Sequence, residues 1–270
     1  MKFAFSTLGV PGTPVHDVVR LAVAHGYDGV ELRAHPEEAV HLGIGAEERA
    51  AVVEEFAAAG VTILTVAGYV RVAAPGDDGP VLTELSELTR LAADLGASYV
   101  RVFPGGGDEQ PPEEADATAA RRLGAAAPEA ADLGVHILLE THDSHPRGAD
   151  AARVLGPVGH KYVGALWDVM HPWLAGESPT TTFPALSPHL GYVQVKDIAS
   201  AEDTTPLALG AGALPLAQVV GLLRSEGWDG WLCWEYEKRW HPGAEPLEGL
   251  LGPGREYLRQ LLESPADGPS

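Results

Sequence analysis

The chain has 270 residues, of which 45% are hydrophobic and 21% are charged. This composition is typical of a globular protein and excludes a largely disordered chain. The formal net charge of −20 comes from 38 acidic and 18 basic residues. Such a surface repels nucleic acid and anionic membranes, because binding to either depends on Lys and Arg. We therefore expect no nucleic-acid partner and no membrane partner.

Cysteine content and the N-terminal segment bear on the cellular compartment. Cys233 is the only cysteine, so no internal disulfide can form. The opening MKFAFSTLG has too short an apolar stretch for a signal peptide. No run approaches the roughly 18 apolar residues of a membrane span. A reducing, cytoplasmic location is the expectation.

One unit recurs along the chain: a helical segment ends at a glycine, and an apolar strand begins within a few residues. Glycine just past a helix end is the expected left-handed cap. With the opening strand KFAFST, the seven joints give eight strands. Eight β/α units in a chain of this length predict an α/β fold, a closed (β/α)8 TIM barrel that forms a single domain over residues 1–263. The seven glycines are Gly26, Gly60, Gly96, Gly134, Gly159, Gly191 and Gly227.

The helices predicted between these strands cover residues 14–25, 46–59, 80–95, 112–133, 148–155, 215–226 and 245–262, with one short helix within 176–189. Thr13 is the expected cap of the first helix, and Pro14 its first residue. The alternative fold is a doubly wound open sheet, whose first strand normally leads into a Gly-rich phosphate turn. STLGVPGTP matches that turn poorly. Residues 264–270 are predicted to be a disordered C-terminal tail.

The stretch VGALWDVMHPW, residues 163–173, indicates where the chemistry lies. Its apolar start is typical of a buried parallel strand, and Asp168 stands at the end of that run. A buried carboxylate is costly unless a positive group is paired with it. Three other strands end in polar residues in the same way: strand five at Glu140, strand seven (residues 192–197) with Gln194, and strand eight (residues 231–237) with Glu235.

In a TIM barrel the active site lies at the carboxyl ends of the strands, so these four side chains are expected to meet there. Three carboxylates in one place would repel one another and raise their pKa values. A divalent metal removes that repulsion, and oxygen donors favour Mg²⁺ or Mn²⁺ over zinc. A salt bridge at the barrel rim is the simpler explanation for any single acid. Four donors on adjacent strands favour one metal site formed by Glu140, Asp168, Gln194 and Glu235.

These residues resemble the pattern of the xylose isomerase-like barrel superfamily. It includes sugar isomerases, ketose 3-epimerases, hydroxypyruvate isomerase, inosose dehydratases and endonuclease IV-type repair enzymes. In relatives that act on sugars, the fourth metal ligand is commonly a histidine from strand seven. Gln194 in that place looks more like the hydroxypyruvate isomerase pattern. The resemblance covers nearly the whole chain, and its most specific pieces are Glu140, Asp168 with His171, Lys196 with Asp197, the Leu-Gly-x-Gly of residues 209–212, and Glu235.

The resemblance implies a reaction class and a role for each residue. The substrate would be a small keto-sugar or polyol-derived hydroxy-ketone bound to the metal. Glu140 and Glu235 would remove and return the proton beside the carbonyl group. His142, His171 and Lys196 would bind the substrate. The expected activity is a metal-dependent sugar isomerase or epimerase, and a homodimer is compatible with the resemblance because relatives often pair.

Several of these residues also have a purely structural interpretation. His171 precedes a proline and could cap the loop, while Asp197 is expected to pair with Lys196 at the barrel top. Glu31 and Arg33 share a face of strand two, where they could line the pocket floor or form an internal charge pair with Arg101. Three tryptophans near the predicted mouth could stack on a sugar ring or serve only in packing: Trp173, Trp234 and Trp240.

Three other functions are alternatives for a barrel of this kind. A dehydratase of a keto-polyol would begin with the same proton abstraction, and the sequence does not separate it from an isomerase. An endonuclease IV-like phosphodiesterase is disfavoured by the net charge of −20 and by Gln194. A sugar-binding barrel without activity would lack one of the two flanking glutamates, and both are present. The glycines at residues 105–107 are interpreted as a flexible loop, which leaves a phosphorylated substrate without support.

Overall fold

Strands and helices alternate through the part of the chain that the computed structural model describes, residues 1–107 and 109–263. The tail predicted for residues 264–270 lies outside the described residues. The strands are β1 (Lys2–Ser6), β2 (Gly29–Arg33), β3 (Thr62–Arg71), β4 (Tyr99–Phe103), β5 (His136–Glu140), β6 (Val163–Asp168), β7 (Leu190–Val195) and β8 (Trp231–Trp234). The helices are α1 (Val15–His25), α2 (Ala46–Ala59), α3 (Asp78–Asp94), α4 (Pro112–Leu133), α5 (Gly148–Val158), α6 (Met170–Leu174), α7 (Pro179–Leu186), α8 (Leu216–Ser225) and α9 (Leu251–Glu263).

The eight strands are parallel and form one closed sheet. Each strand pairs with its neighbour in sequence, and β1 pairs with β8, with Ala4 opposite Cys233. Parallel neighbours need a crossover connection, which the intervening helices provide. The predicted (β/α)8 TIM barrel is therefore confirmed. Among the described residues, none of the helices is long and apolar enough to cross a membrane.

Most helix limits follow the prediction, with three differences. Helix α1 begins at Val15, so Pro14 occupies the cap position instead of the first helical one. Helix α7 is the short helix expected before strand seven, but an additional helix, α6, follows β6 directly. The helix predicted for residues 245–262 is interrupted, because a short 3-10 turn at Leu247–Gly249 precedes α9.

Six of the seven predicted glycine joints adopt the left-handed backbone, with φ between 56° and 72°. The prediction for Gly191 is wrong, since this residue lies inside β7 and has no positive φ. A Cβ atom at this position would lie 2.5 Å from Cδ1 of Leu138. Glycine is needed here for the close approach of a neighbouring side chain and not for a turn.

Apolar side chains pack on both sides of the sheet. The larger core lies between strands and helices and includes Phe5 and Trp167. A smaller core fills the barrel interior. Because alternate residues of a strand face opposite sides, a residue two positions after an interior one also faces the interior, one layer nearer the carboxyl end. The interior core consists of Ala4, Leu64, Leu138, Leu166, Tyr192 and Cys233.

Candidate active site

Four polar side chains stand one layer above the interior core. They follow Leu138, Leu166, Tyr192 and Cys233 by two positions, and all four are buried. Carboxylate oxygens of the three acids lie within 4.8 Å of one another. The structure therefore brings the sequence-predicted donors together, although strand eight ends at Trp234 and not at residue 237. The four are Glu140 at the end of β5, Asp168 at the end of β6, Gln194 in β7 and Glu235 directly after β8.

Lys196 provides positive charge for this cluster. Its Nζ atom lies 2.8 Å from Oδ2 of Asp168 and 2.7 Å from Oε1 of Glu237, and it also contacts Glu235. Burial alone would lower the pKa of Lys196, but the three carboxylates raise that pKa well above its ordinary value. The ammonium group is thus permanently charged and partly offsets the repulsion among the acids.

Asp197 does not pair with Lys196, so that prediction is wrong. Adjacent residues of a strand face opposite sides, which turns the Asp197 carboxylate away from the barrel interior. It accepts hydrogen bonds from the backbone N–H groups of Gly210 and Gly212, both at 2.9 Å, and of Leu214 at 3.1 Å. A Cβ atom on Gly212 would lie 2.3 Å from Oδ1 of Asp197, so only glycine fits. Asp197 therefore holds the loop that follows β7.

Arg101 of β4 is the second buried cation near the cluster. Its Nε atom lies 3.2 Å from Oε2 of Glu140, and its Cζ atom lies 3.9 Å from the ring centroid of Phe103. The alternative pair of Arg101 with Glu31 is not formed, because Glu31 accepts from Tyr192 and from Gln194 instead. Sequence reasoning considered Arg101 only as a structural charge, and the structure places it beside a predicted catalytic acid.

The side-chain amide of Gln194 has a defined orientation. Its Nε2 atom lies 3.1 and 3.0 Å from the two carboxylate oxygens of Glu31 and 3.1 Å from Oε1 of Glu235. A carboxylate accepts and cannot donate, so the nitrogen must face these oxygens. The amide oxygen is buried and has no hydrogen-bond partner. It is therefore free to act as a neutral ligand.

Burial and local charge give the three acids different protonation behaviour. Burial raises the pKa of Glu140 well above its ordinary value and raises that of Glu235 to about 7. Burial would also raise the pKa of Asp168, but the charge of Lys196 holds it below its ordinary value. The two glutamates therefore take up a proton more readily than exposed carboxyl groups, whereas Asp168 remains ionised at neutral pH.

The donor set fits a divalent cation. Oε1 of Gln194 is buried and forms no hydrogen bond in the structure. Oδ2 of Asp168 and Oε2 of Glu140 are buried and face the cations Lys196 and Arg101, at 2.8 and 3.2 Å. All of these donors are oxygens, the ligands that Mg²⁺ and Mn²⁺ prefer. A second group with ligand atoms within 4.8 Å of one another consists of Glu140, His142 and His171. Glu140 belongs to both groups and stands at their junction.

A cavity of about 380 Å³ opens beside the acids. Two of the three predicted substrate-binding residues, His142 and His171, line it. Lys196 does not, because its ammonium group is 2% exposed and lies behind the carboxylates. Contact between Lys196 and a substrate stays a prediction. The polar and aromatic lining residues are Tyr69, Arg71, Arg101, Phe103, Glu140, His142, Asp143, His171, Glu235, Glu237 and Trp240.

His142 and His171 form a ring pair in the cavity wall, with centroids 4.1 Å apart. Nδ1 of His142 lies 2.7 Å from Asp143, and Nε2 of His171 lies 3.4 Å from Asp168. Burial lowers the pKa of His171 to about 4. Its imidazole is therefore neutral at neutral pH, with one nitrogen donating and one accepting. His171 lines the cavity, and its contact with a substrate stays a prediction.

The three tryptophans predicted near the mouth occupy different surroundings. Trp240 lines the cavity and is 52% exposed. Trp234 is completely buried and packs against Gly254 of α9, so it belongs to the core. Trp173 packs against the outer core and is not part of the cavity wall. Stacking on a substrate therefore remains an option for Trp240 alone.

Residues on β3 and β4 were missed at the sequence level. Tyr69, Arg71 and Phe103 line the cavity, but they stand where strands three and four run into loops that the sequence pattern did not resolve. A signal was present for strand four, where Arg101 and Phe103 alternate with apolar residues and so share a face. Reading that alternation would have placed both side chains in the barrel mouth.

Residues 19–261 match the sequence profile of the xylose isomerase-like TIM barrel family, and the chain belongs to this family. Solved structures with the same fold include the IolI protein with a binding zinc atom, which is 17% identical with a TM-score of 0.82 over 97% of this chain and 98% of that chain. A D-psicose 3-epimerase in the presence of D-fructose is 15% identical, with a TM-score of 0.82 over 98% of this chain and 100% of that chain.

The probable 3-DHS dehydratase AsbF from Bacillus anthracis is 19% identical, with a TM-score of 0.78 over 96% of this chain and 99% of that chain. At such identities the likeness shows the fold alone. Epimerases, IolI and a dehydratase thus share this barrel. No curated protein matches the chain.

Proposed function

We propose that the chain is a metal-dependent isomerase or epimerase of a small keto-sugar or hydroxy-ketone. In this proposal Glu140 and Glu235 move a proton at the carbon beside the carbonyl group. The main support is the cluster of Glu140, Asp168 and Glu235, whose carboxylate oxygens lie within 4.8 Å of one another at the carboxyl ends of the strands. Both glutamates also line a cavity large enough for a small sugar.

Glu140, Asp168, Gln194 and Glu235 would hold one Mg²⁺ or Mn²⁺. When bound, this ion would polarise the substrate carbonyl group and favour loss of the neighbouring proton. The unpartnered amide oxygen of Gln194 and the clustered carboxylates of the three acids support this assignment. Asp168, with its lowered pKa, would remain an anionic ligand through the reaction.

Proton transfer would be shared by the two glutamates. One carboxylate would take the proton from carbon, and the other would return it. Return to the adjacent carbon gives isomerisation, and return to the opposite face of the same carbon gives epimerisation. Burial raises the pKa of both groups, so each holds a proton more readily than an exposed carboxyl group does. The neutral imidazole of His171, with His142, would bind substrate hydroxyl groups.

Proton exchange gives a direct test of this proposal. The protein with Mn²⁺ is incubated in D₂O with a panel of ketoses and small hydroxy-ketones, and NMR follows loss of the proton beside the carbonyl group. We expect Glu140→Gln and Glu235→Gln to slow exchange by about 10²- to 10⁴-fold. Glu47→Gln, on the exposed face of α2, is the control and should exchange normally.

Two outcomes would change the proposal. Exchange that is unaffected by Glu140→Gln, or absent for every member of the panel, would contradict it. An ultraviolet-absorbing dehydrated product would instead assign the site to a dehydratase, which shares the first step. The variants are compared by thermal unfolding, so that loss of activity can be separated from loss of fold.

We further propose a cytoplasmic location. The single cysteine, Cys233, lies in the barrel interior, and burial raises the pKa of its thiol well above the ordinary value. A thiol in this state is inert and needs no oxidising compartment. Immunolocalisation or fractionation of the producing cell would test this, and recovery of the protein outside the cytoplasm would contradict it.

A further inference from the structure

The wall of the 380 Å³ cavity is cationic on its β3 and β4 side. Arg71 and Arg101 stand there, and the acids of β5 to β8 stand on the other side. We propose that the substrate of the reaction proposed above carries a carboxylate group, which Arg101 and Arg71 bind. The substrate class would then be a keto-sugar acid instead of a neutral ketose.

Arg101 offers a buried donor that the protein leaves unused. The residue is 3% exposed, and its Nε and Nη1 atoms are buried without a hydrogen-bond partner. Nε lies 3.2 Å from Oε2 of Glu140, whereas Nη1 forms no hydrogen bond. Buried guanidinium groups normally use their donors, so an unused one beside a cavity points to a ligand atom. The ring of Phe103 lies against the guanidinium group and limits its movement.

Arg71 lies next to this donor, at the end of β3. In the sheet register it stands opposite Phe103. Its side chain borders both the 380 Å³ cavity and a neighbouring cavity of about 460 Å³. Among the described residues no carboxylate lies within ion-pair distance of Arg71. By contrast, three other arginines are paired: Arg33 with Glu38, Arg122 with Asp78, and Arg153 with Asp116.

The lack of an ion-pair partner for Arg71 in the described part of the chain is informative because the sequence carries 38 acidic residues against 18 basic ones. An arginine that borders a cavity and has no acidic partner is available to a ligand anion. A guanidinium group binds the planar pair of carboxylate oxygens through charge-assisted hydrogen bonds. Neutral hydroxyl groups would form no charge-assisted hydrogen bond with Arg71.

The same wall favours a carboxylate over a phosphate group. Asp143 borders both cavities, and Glu237 borders the smaller one. These carboxylates would repel the second charge of a phosphate dianion more than the single charge of a carboxylate. The backbone of Asp143 is left-handed, with φ of 44°, and the residue is fixed by its contact with His142. The hydrogen bond with His142 also holds the pKa of the Asp143 carboxyl below its ordinary value, so the group is charged at neutral pH.

Three matched probes test the proposal: D-fructose, D-fructuronate, which has a carboxylate at the terminal carbon, and D-fructose 6-phosphate. Their dissociation constants are measured by calorimetry on the full-length protein with Mn²⁺. We expect D-fructuronate to bind most tightly. Arg71→Gln should raise the dissociation constant of D-fructuronate by about tenfold or more and change that of D-fructose by less than about twofold. The reason is that a hydrogen bond to a charged group is lost only for the acid.

Arg71→Lys keeps the charge and should retain part of the preference. Arg90→Gln is the control, because Arg90 is exposed on α3 and pairs with Glu129. The proposal is overturned if D-fructuronate binds no more tightly than D-fructose, including the case in which neither binds. It is also overturned if D-fructose 6-phosphate binds most tightly, or if Arg71→Gln weakens the binding of D-fructose and D-fructuronate equally. Proton exchange measured in parallel tests the proposed reaction separately from this binding preference.

Discussion

The side-chain nitrogen of Gln194 donates to both carboxylate oxygens of Glu31, at 3.1 and 3.0 Å. Both side chains are fully buried, and Tyr192 donates a further hydrogen bond to Glu31. With the contact to Glu235, the surroundings of this nitrogen are entirely carboxylate. Glu31 therefore determines which end of the amide stays free, although it stands on β2, far from Gln194 in sequence.

Glu31→Gln should weaken metal binding. A glutamine at position 31 can donate as well as accept, so it no longer forces the nitrogen of Gln194 toward itself. Residues that orient metal ligands typically contribute about 10- to 100-fold in affinity. We expect a loss of that size in the dissociation constant for Mn²⁺, measured by calorimetry on metal-depleted protein.

Tyr192→Phe is the matched variant for this experiment. It removes one hydrogen bond to Glu31 and leaves both bonds between Glu31 and Gln194, so the loss of Mn²⁺ affinity should be smaller. Glu47→Gln, on the exposed surface, should bind Mn²⁺ normally. If Glu31→Gln bound Mn²⁺ as tightly as the unmodified protein, Glu31 would have no orienting role.

Lys196→Met should destabilise the metal-free protein. The ammonium group contacts Asp168, Glu235 and Glu237, and its removal leaves buried negative charge without compensation. Loss of one partner from a buried ion pair costs about 3–5 kcal/mol. We expect a decrease of that order in the free energy of unfolding, measured by urea denaturation in EDTA.

A divalent cation replaces part of the missing positive charge, so Mn²⁺ should stabilise Lys196→Met more than it stabilises the unmodified protein. Lys161→Met is the control. Lys161 is exposed, lies over the ring of Tyr162 and borders the cavity at the amino ends of the strands. A Lys196→Met protein of unchanged stability in EDTA would show that the carboxylates do not need this cation.

The acids of the site were predictable because strand alternation is a local property. Leu138 and Glu140 share a face, as do Leu166 and Asp168, and this holds for any parallel strand whatever its neighbours are. The same alternation turns the adjacent residues Lys196 and Asp197 to opposite sides of the strand, so they cannot pair. The sequence interpretation nevertheless favoured that pair. The error came from reading adjacent opposite charges as a pair.

The partners of these acids could not be predicted in the same way, because they depend on barrel closure. Arg101 reaches Glu140 from the neighbouring strand, and Glu31 reaches Gln194 across the barrel. Such contacts join residues 39 and 163 positions apart, and no periodicity in one strand selects between them. Gly191 shows the same limit, since the need for glycine comes from a side chain on another strand.

Asp197→Asn should loosen the loop after β7. The two carboxylate oxygens accept from Gly210, Gly212 and Leu214, and an asparagine has only one accepting oxygen. At least one backbone N–H then loses its partner, at a cost of about 1–3 kcal/mol in the free energy of unfolding. Amide hydrogen exchange at residues 209–214 should become faster while Mn²⁺ affinity is retained. Unchanged exchange in this loop would contradict the assigned role.

The last prediction concerns pH and the opposite end of the barrel. His136 begins β5, and its ring packs against Tyr162 and Tyr99, with centroids 4.5 and 5.9 Å away. Burial lowers the pKa of His136, and the charge of Lys161 acts in the same direction. The folded protein therefore binds this proton less readily than the unfolded chain, in which histidine has a pKa of about 6.5.

Where the unfolded chain binds more protons than the folded protein, the free energy of unfolding decreases as the pH is lowered. The contribution of neutral His136 is complete above about pH 6.5 and decreases as the pH falls through that value toward the lower folded pKa. His136→Gln does not titrate, so its free energy of unfolding should decline less between about pH 7 and pH 5 than that of the unmodified protein. His16→Gln, at an exposed position on α1, should keep the original slope. Equal slopes for His136→Gln and the unmodified protein in urea unfolding would contradict the prediction, because the proton would then bind both states alike.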